Sequence, residues 1–317
     1  MFQFIFIFSL KFFITFNVKF KCKKISFSNN FKHWIFSKIM AKFAKVNDIK
    51  ISYEIMGDEN AEPLIFVSGW TFKKEMWIAQ AGPLSEHFKV ITFDNRGCGK
   101  SDRPDIPYTM DMYVADIIGL MDHLNIDKTN LIGYALGAMI IMVLAIKHPD
   151  RVNKIILLNT VAAFETDDYV KNGMEINSKA LSFQQNAPEK YFMKASQLSF
   201  HTPFRKELEA TPDKKFHDLW SVAEWVKEYK IDPQTPQDVK NQGNALLGFN
   251  VLNQLNKIKA ETLVIAASNN KIHPKAAMEK FAEKIPNKRF EVIEKAGDMS
   301  YLSNAPEINQ LVIDFLK

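Results

Sequence analysis

Residues 130–147 read NLIGYALGAMIIMVLAIK. The opening run is short, apolar and unbroken, which suits a strand buried on both faces rather than one with a wet side. The closing run, 138–147, is almost wholly apolar and long enough for a buried helix, and Pro149 stops it. Between the two lies G-Y-A-L-G. Glycine at 133 and 137 lets the backbones of strand and helix approach closely through a tight turn. A buried strand passing through such a turn into a buried helix is the repeating unit of a parallel sheet with helical crossovers.

The same alternation extends on both sides. Short β-rich apolar runs occur at 49–55, 64–67, 90–93, 130–133, 155–158, 262–267 and 290–293, and helical patterns at 111–124, 138–147, 275–284 and 306–316. The expected fold is α/β, a doubly wound and mostly parallel sheet. The rhythm breaks between 161 and 245, where no strand run appears. That stretch is helical, polar and aromatic, with Phe183, Tyr191, Phe192, Phe200, Phe204, Phe216, Trp220, Trp225 and Tyr229. We expect a core formed by 40–160 and 246–317, with 161–245 as a helical insertion above the sheet.

Composition excludes several classes. A chain of 317 residues with 47% hydrophobic and 24% charged residues is globular, with ample core. Of its 41 Lys and Arg, seven fall in residues 1–39, which hold no acidic residue; this leaves 34 basic against 36 acidic side chains in 40–317. No basic excess remains of the kind nucleic-acid binding needs, so no such partner is expected. Cys22 and Cys98 make neither a disulfide framework nor a zinc site, which points to a reducing, cytoplasmic setting. No metal or nucleotide motif is present, and no cofactor is expected.

Residues 1–39 carry 11 of the 26 Phe. Lys11 interrupts their apolar run, so a membrane anchor fits poorly. Three readings stay open for the stretch: upstream sequence read as protein, an organelle-targeting segment, or an anchor. In all three, 40–317 is expected to fold alone.

Residues 64–78 read LIFVSGWTFKKEMWI, 93–104 read FDNRGCGKSDRP, and 148–158 read HPDRVNKIILL. With 130–137, 262–274 and 290–302, these segments resemble the α/β-hydrolase fold family, and the resemblance covers essentially all of 40–317. It implies a core of the single-domain-plus-cap type, with 161–245 as the cap. It also implies a nucleophile elbow, G-x-S-x-G, at 133–137, and an oxyanion hole built from the backbone N–H groups of Trp70 and Leu136. An active member would cleave small esters, lactones or carbon–carbon bonds without a cofactor.

Three positions depart from that pattern. Acyl transfer of this kind needs a hydroxyl nucleophile, an imidazole to take its proton and a carboxylate to orient the imidazole. Ala135 stands at the nucleophile position and has no hydroxyl. The acid position falls on Asn270, in S-N-N-K-I-H-P, and the base position on Asp298, in K-A-G-D-M-S-Y-L. Ser68 replaces the His that usually precedes Gly69, which puts the geometry of that loop in question. The pocket candidates are Ser68, Tyr134 and His273, with Trp70, Trp77 and the aromatic residues of the insertion as an apolar lining. Asp94 and Arg96 read as structural, fixing their loop by hydrogen bonds and an ion pair.

The leading expectation is a member of this fold that has lost serine-hydrolase chemistry at Ala135, Asn270 and Asp298. Such a protein would bind a small apolar or ester-like molecule under the cap, or a protein partner, and would not associate with membranes. The alternative is an active hydrolase of small esters or lactones using His273 or Asp298 with a bound water. The distances from His273 to Asp298 and to the Leu136 amide distinguish them: a cluster within ~3.2 Å hydrogen-bond reach favours catalysis.

Overall fold

Eight strands form one sheet among residues 42–317, the part of the chain that this computed structural model describes. The expectations for residues 1–39, Cys22 included, lie outside the described residues. The strands are β1 (Lys42–Val46), β2 (Ile49–Met56), β3 (Pro63–Val67), β4 (Lys89–Phe93), β5 (Thr129–Tyr134), β6 (Val152–Leu158), β7 (Glu261–Ala267) and β8 (Lys288–Ile293). Their order is β1-β2-β4-β3-β5-β6-β7-β8. The pairings β1–β2 and β2–β4 are antiparallel, and every pairing from β4 to β8 is parallel.

Every apolar run identified in the sequence is a strand. β1 was not expected. Its sequence, KFAKV, buries only Ala44 and Val46, so it lacks the continuous apolar signal of the inner strands. It returns into β2 through Asn47 and Asp48, both at positive φ (46° and 64°), the pair of conformations that a tight two-residue hairpin turn needs.

The sheet is covered on both faces, and the period-2 geometry of a strand sorts its side chains between them. Ile65, Leu131, Ile155 and Val264 join one core with helices α1 (Met110–His123) and α2 (Leu136–Lys147). Leu64, Phe66, Ile132, Ile156 and Ile265 join the other. These side chains are fully buried, and each contributes roughly 1.5–3 kcal/mol relative to exposure.

Between β6 and β7 the chain forms α3 (Asp167–Asn186), α4 (Pro188–Ser199), α5 (Thr202–Ala210), α6 (Val222–Lys227) and α7 (Pro236–Asn244). After β7 and β8 come α8 (Lys275–Ala282) and α9 (Ala305–Leu316). Many of the insertion's aromatic residues pack on one another: Phe200 stacks on Trp220, and Phe204, Phe216 and Trp225 close around them. Trp77, expected to line a ligand site, is instead core. It is 1% exposed, sits edge-on to Phe66 and packs at a tilt against Tyr301, with centroids 5.9 Å apart. No described helix is long and apolar enough to cross a membrane.

Candidate functional site

β5 ends at Tyr134 and α2 begins at Leu136, so Ala135 alone forms the joint. It sits at φ 49°, ψ −114°, a strained conformation for a residue with a Cβ. The surroundings hold it there. The Ala135 N–H is shared between the carbonyls of Leu158 and Asn159, each at 3.2 Å, and its own carbonyl accepts from Thr160 Oγ1 at 2.9 Å. The flanking glycines are sterically required. A Cβ at Gly137 would collide with Val67 O, and one at Gly133 would lie 2.6 Å from Ala138 N. The turn therefore persists with a methyl group at its apex.

Leu136 is the first residue of α2, and its N–H has no intrahelical acceptor. Among the described residues, none accepts a hydrogen bond from the Trp70 amide either. Ser68 does hold its loop: the hydroxyl reaches Lys73 O at 3.4 Å, and Asn95 Nδ2 donates to Ser68 O at 3.0 Å. The Trp70 ring packs against the core and reaches the insertion, donating from Nε1 to Val239 O at 3.1 Å. Its edge lies against Gly173 and Gly243.

His273 and Asp298 meet. The loops after β7 and β8 leave neighbouring parallel strands at the same end of the sheet. They bring His273 Nδ1 to 2.7 Å from Asp298 Oδ1, with both residues buried. Asn270 shapes the first loop. Its Oδ1 accepts from the N–H groups of Ile272 (2.9 Å) and His273 (2.8 Å), while its Nδ2 donates to Asp298 Oδ1 at 2.9 Å. The Tyr134 hydroxyl donates to Asp298 Oδ2. An ionised carboxylate can only accept, so Nδ1 of His273 carries the proton and Nε2 is left as the basic nitrogen. Among the described residues, Nε2 has no partner.

Burial, reinforced by the Asp298 charge, pushes the phenols of Tyr134 and Tyr301 well above their ordinary range. Tyr169, on α3, is raised by the same two causes. Tyr134 is thus a neutral donor to Asp298, and its ring packs edge-on against Tyr301, with centroids 5.0 Å apart.

The residues that support the Asp298 backbone and its loop were not found from the sequence. Asn159 Nδ2 donates to Asp298 O at 2.6 Å and to Ser300 Oγ at 2.9 Å. Met299 N–H donates to Ser199 O at 2.9 Å, and Gly297 leaves no room for a Cβ against the same residue. The insertion therefore braces the loop that carries the carboxylate. An Asn at a strand end carries no distinctive sequence signal, and only the spatial neighbourhood reveals it.

Of the other described histidines, His217 contacts Ser303 O at 2.8 Å, and His123 contacts the Tyr53 hydroxyl at 3.4 Å. Cys98 is fully buried, and burial raises its thiol pKa far above the ordinary range, so it is no nucleophile. Asp94 accepts from the Lys74 and Lys100 amides, and Arg96 grips Asp116 through two bonds of 2.6 and 2.7 Å. Both are structural, as expected. Among the described residues there is no cluster of His, Cys, Asp or Glu that could hold a metal ion.

A glycine-flanked strained turn between a parallel strand and a buried helix, with a buried His–Asp pair on the loops after the last two strands, defines the α/β-hydrolase class. Comparison with known families agrees: residues 62–305 match the α/β-hydrolase fold, and the chain belongs to that family. It is 25% identical over 276 residues to a Caulobacter segnis protein named as a carbamate hydrolase, RutD, covering 84% of this chain and 96% of that one. It is 27% identical over 263 residues to 3-oxoadipate enol-lactonase 2 of Acinetobacter baylyi, covering 82% and 89%. Among solved structures, the enol-lactonase from Burkholderia xenovorans LB400 superposes with a TM-score of 0.72 at 24% identity, covering 87% of this chain and 99% of that one.

Proposed function

We propose that the chain is a hydrolase of small carbonyl esters or lactones that uses an activated water in place of a serine nucleophile. The observation that carries this reading is the 2.7 Å contact between His273 Nδ1 and Asp298 Oδ1. In the family pattern the acid follows the seventh strand of this sheet and the base follows the eighth. Here the imidazole stands three residues beyond the acid position and the carboxylate occupies the base position. The two chemical groups have exchanged loops, and their hydrogen bond is retained.

In this reading, Nε2 of His273 takes a proton from water as the water oxygen attacks the substrate carbonyl carbon. Asp298 stabilises the resulting imidazolium. The negative charge developing on the carbonyl oxygen falls between the N–H groups of Trp70 and Leu136. Collapse of the tetrahedral species breaks the carbon–oxygen bond, and the imidazolium returns its proton to the leaving alkoxide. The products are an acid and an alcohol, with water as the only co-reactant. The similarity to a named carbamate hydrolase and a named enol-lactonase supports carbonyl hydrolysis as the class.

The test is turnover of p-nitrophenyl acetate and of a small aryl lactone by the purified chain and by His273→Ala. Turnover without an acyl-enzyme burst, resistant to a serine-directed fluorophosphonate and lowered about 100-fold or more in the variant, is expected. Equal rates in the two proteins overturn the reading.

Ala135 favours a second reading, a ligand-binding protein that has lost its chemistry. It predicts saturable binding of an ester without any turnover.

A further inference from the structure

Thr71 stands one residue beyond Trp70 at φ 66°, a conformation uncommon for a residue other than glycine. Both polar groups of its backbone are held by side chains of the insertion. Its N–H donates to Gln242 Oε1 at 3.3 Å, and its carbonyl accepts from Gln234 Nε2 at 3.2 Å. Each glutamine is fixed at a second point. Gln242 Nε2 donates to Gly97 O at 2.9 Å, and Gln234 Nε2 reaches Cys98 Sγ at 2.8 Å. Both side chains are buried.

The stretch of the insertion that precedes Gln234 is also tied to the loops that follow β3 and β4. Lys73 Nζ donates to Glu228 O at 2.6 Å and to Ile231 O at 2.9 Å. Arg103 donates to the carbonyls of Asp232 and Pro233, both at 2.8 Å. Trp70 is consequently held at its indole by Val239 O and at its C-terminal peptide by Gln242, while Gln234 holds the peptide that follows; the Gly69–Trp70 peptide, which carries the Trp70 N–H, is held through Phe72 N–H donating to Gly69 O at 3.1 Å. Little freedom is left for the Trp70 N–H to turn.

We propose that Gln242 and Gln234 are positioning residues: by gripping the Thr71 backbone they aim the Trp70 amide at the carbonyl oxygen of the substrate. The inference rests on the hydrolase reading above and deepens it, because it gives the insertion a part in the chemistry as well as in covering the sheet. An uncommon backbone conformation persists only where its surroundings over-determine it, and here two buried amides do so together with the turn bond from Phe72 N–H to Gly69 O.

The experiment compares the full chain with Gln242→Met, Gln234→Met and the double variant. Two quantities are read: kcat and KM for p-nitrophenyl acetate, and the affinity for mono-p-nitrophenyl methylphosphonate, a stable tetrahedral anion. A misaimed oxyanion donor lowers kcat by about 10- to 100-fold with KM changed little, and weakens phosphonate binding in step. The double variant is expected to lose less than the product of the single losses, since both side chains act on the backbone of one residue, Thr71. Gln242→Asn and Gln234→Asn keep the amide but fall short of Thr71. They are read in the same way and serve where a methionine variant does not fold.

If the variants keep kcat and phosphonate affinity within about twofold, the positioning role is overturned and the hydrolase reading stands. If the parent chain binds the phosphonate without turnover, the hydrolase reading falls, and loss of that binding in the variants still supports the grip. If the parent chain shows neither, both fall.

Discussion

His273 Nδ1 lies 2.7 Å from Asp298 Oδ1, and the Tyr134 hydroxyl occupies the other oxygen of the same carboxylate. Asp298 therefore sits between the imidazole of one loop and a phenol from the elbow itself. The carboxylate fixes the imidazole tautomer and leaves Nε2 free to act on water.

Replacing Asp298 with Asn removes both effects. An amide offers a donor as well as an acceptor, so Nδ1–H is no longer enforced and the imidazolium loses its counter-charge. Asp298→Asn is expected to lower kcat by about 100- to 10,000-fold with KM nearly unchanged. Steady-state kinetics on p-nitrophenyl acetate decide it, and a kcat within threefold of the parent would remove Asp298 from the chemistry.

Restoring the family's acid at position 270 is expected to harm the protein. Asn270 Nδ2 donates to Asp298 Oδ1 at 2.9 Å, so Asn270→Asp would set a second carboxylate against the first. Like charges at that separation, largely shielded from water, cost about 1–3 kcal/mol. The penalty is largest near neutral pH, where both ionise, and shrinks in acid as one takes up a proton. Urea unfolding at pH 7 and pH 4 measures this. An equal loss of stability at both values would point to a packing effect instead.

The sheet was legible because its inner strands are buried on both faces. Runs such as Leu64–Val67 and Ile155–Leu158 stand out as unbroken apolar sequence. The elbow was legible because two glycines are needed where Gly137 meets Val67 O. β1 escaped notice because an edge strand with two lysines carries half that signal, although the turn pair Asn47–Asp48 was available to mark it. The His273–Asp298 contact was harder. It depends on β7 and β8 being neighbours in parallel, which aligns the loops that follow them. Each residue alone is an ordinary polar loop residue, and only the strand order makes them a pair. Gln234 and Gln242 were illegible for the same reason, since their partners lie about 140–170 residues away in sequence.

Ala135 holds a positive φ with a Cβ in place and no hydroxyl in return. Strain of this type costs about 1–3 kcal/mol, whereas glycine adds about 0.4–1 kcal/mol of unfolded-chain entropy. Ala135→Gly is therefore expected to stabilise the fold by up to about 2 kcal/mol, opposite in sign to the usual effect of an alanine-to-glycine change. Urea unfolding with an unchanged m-value would establish it. A loss exceeding 1 kcal/mol would mean that the Ala135 methyl packs well enough to offset its strain.

Deeply buried phenols also set an alkaline limit. Burial raises the phenols of Tyr113, Tyr134 and Tyr301 well above 10.0, and for the last two the Asp298 charge adds to the rise. A raised folded-state pKa on an acid of this kind means that the unfolded chain gives up its protons first. The stability these residues contribute is complete below about pH 10 and declines as pH rises beyond it. Each such phenol adds about 1.4 kcal/mol per pH unit to the decline. Tyr134→Phe removes one share, so its stability should fall less steeply above pH 10 than that of the parent chain. After a jump to about pH 11.5, tyrosinate absorbance should rise in two phases. The slow phase, carrying the buried phenols, should coincide with loss of the far-UV signal. If the full tyrosinate signal developed while the helical signal persisted, these phenols would be open to solvent in the native state and the limit would have another cause.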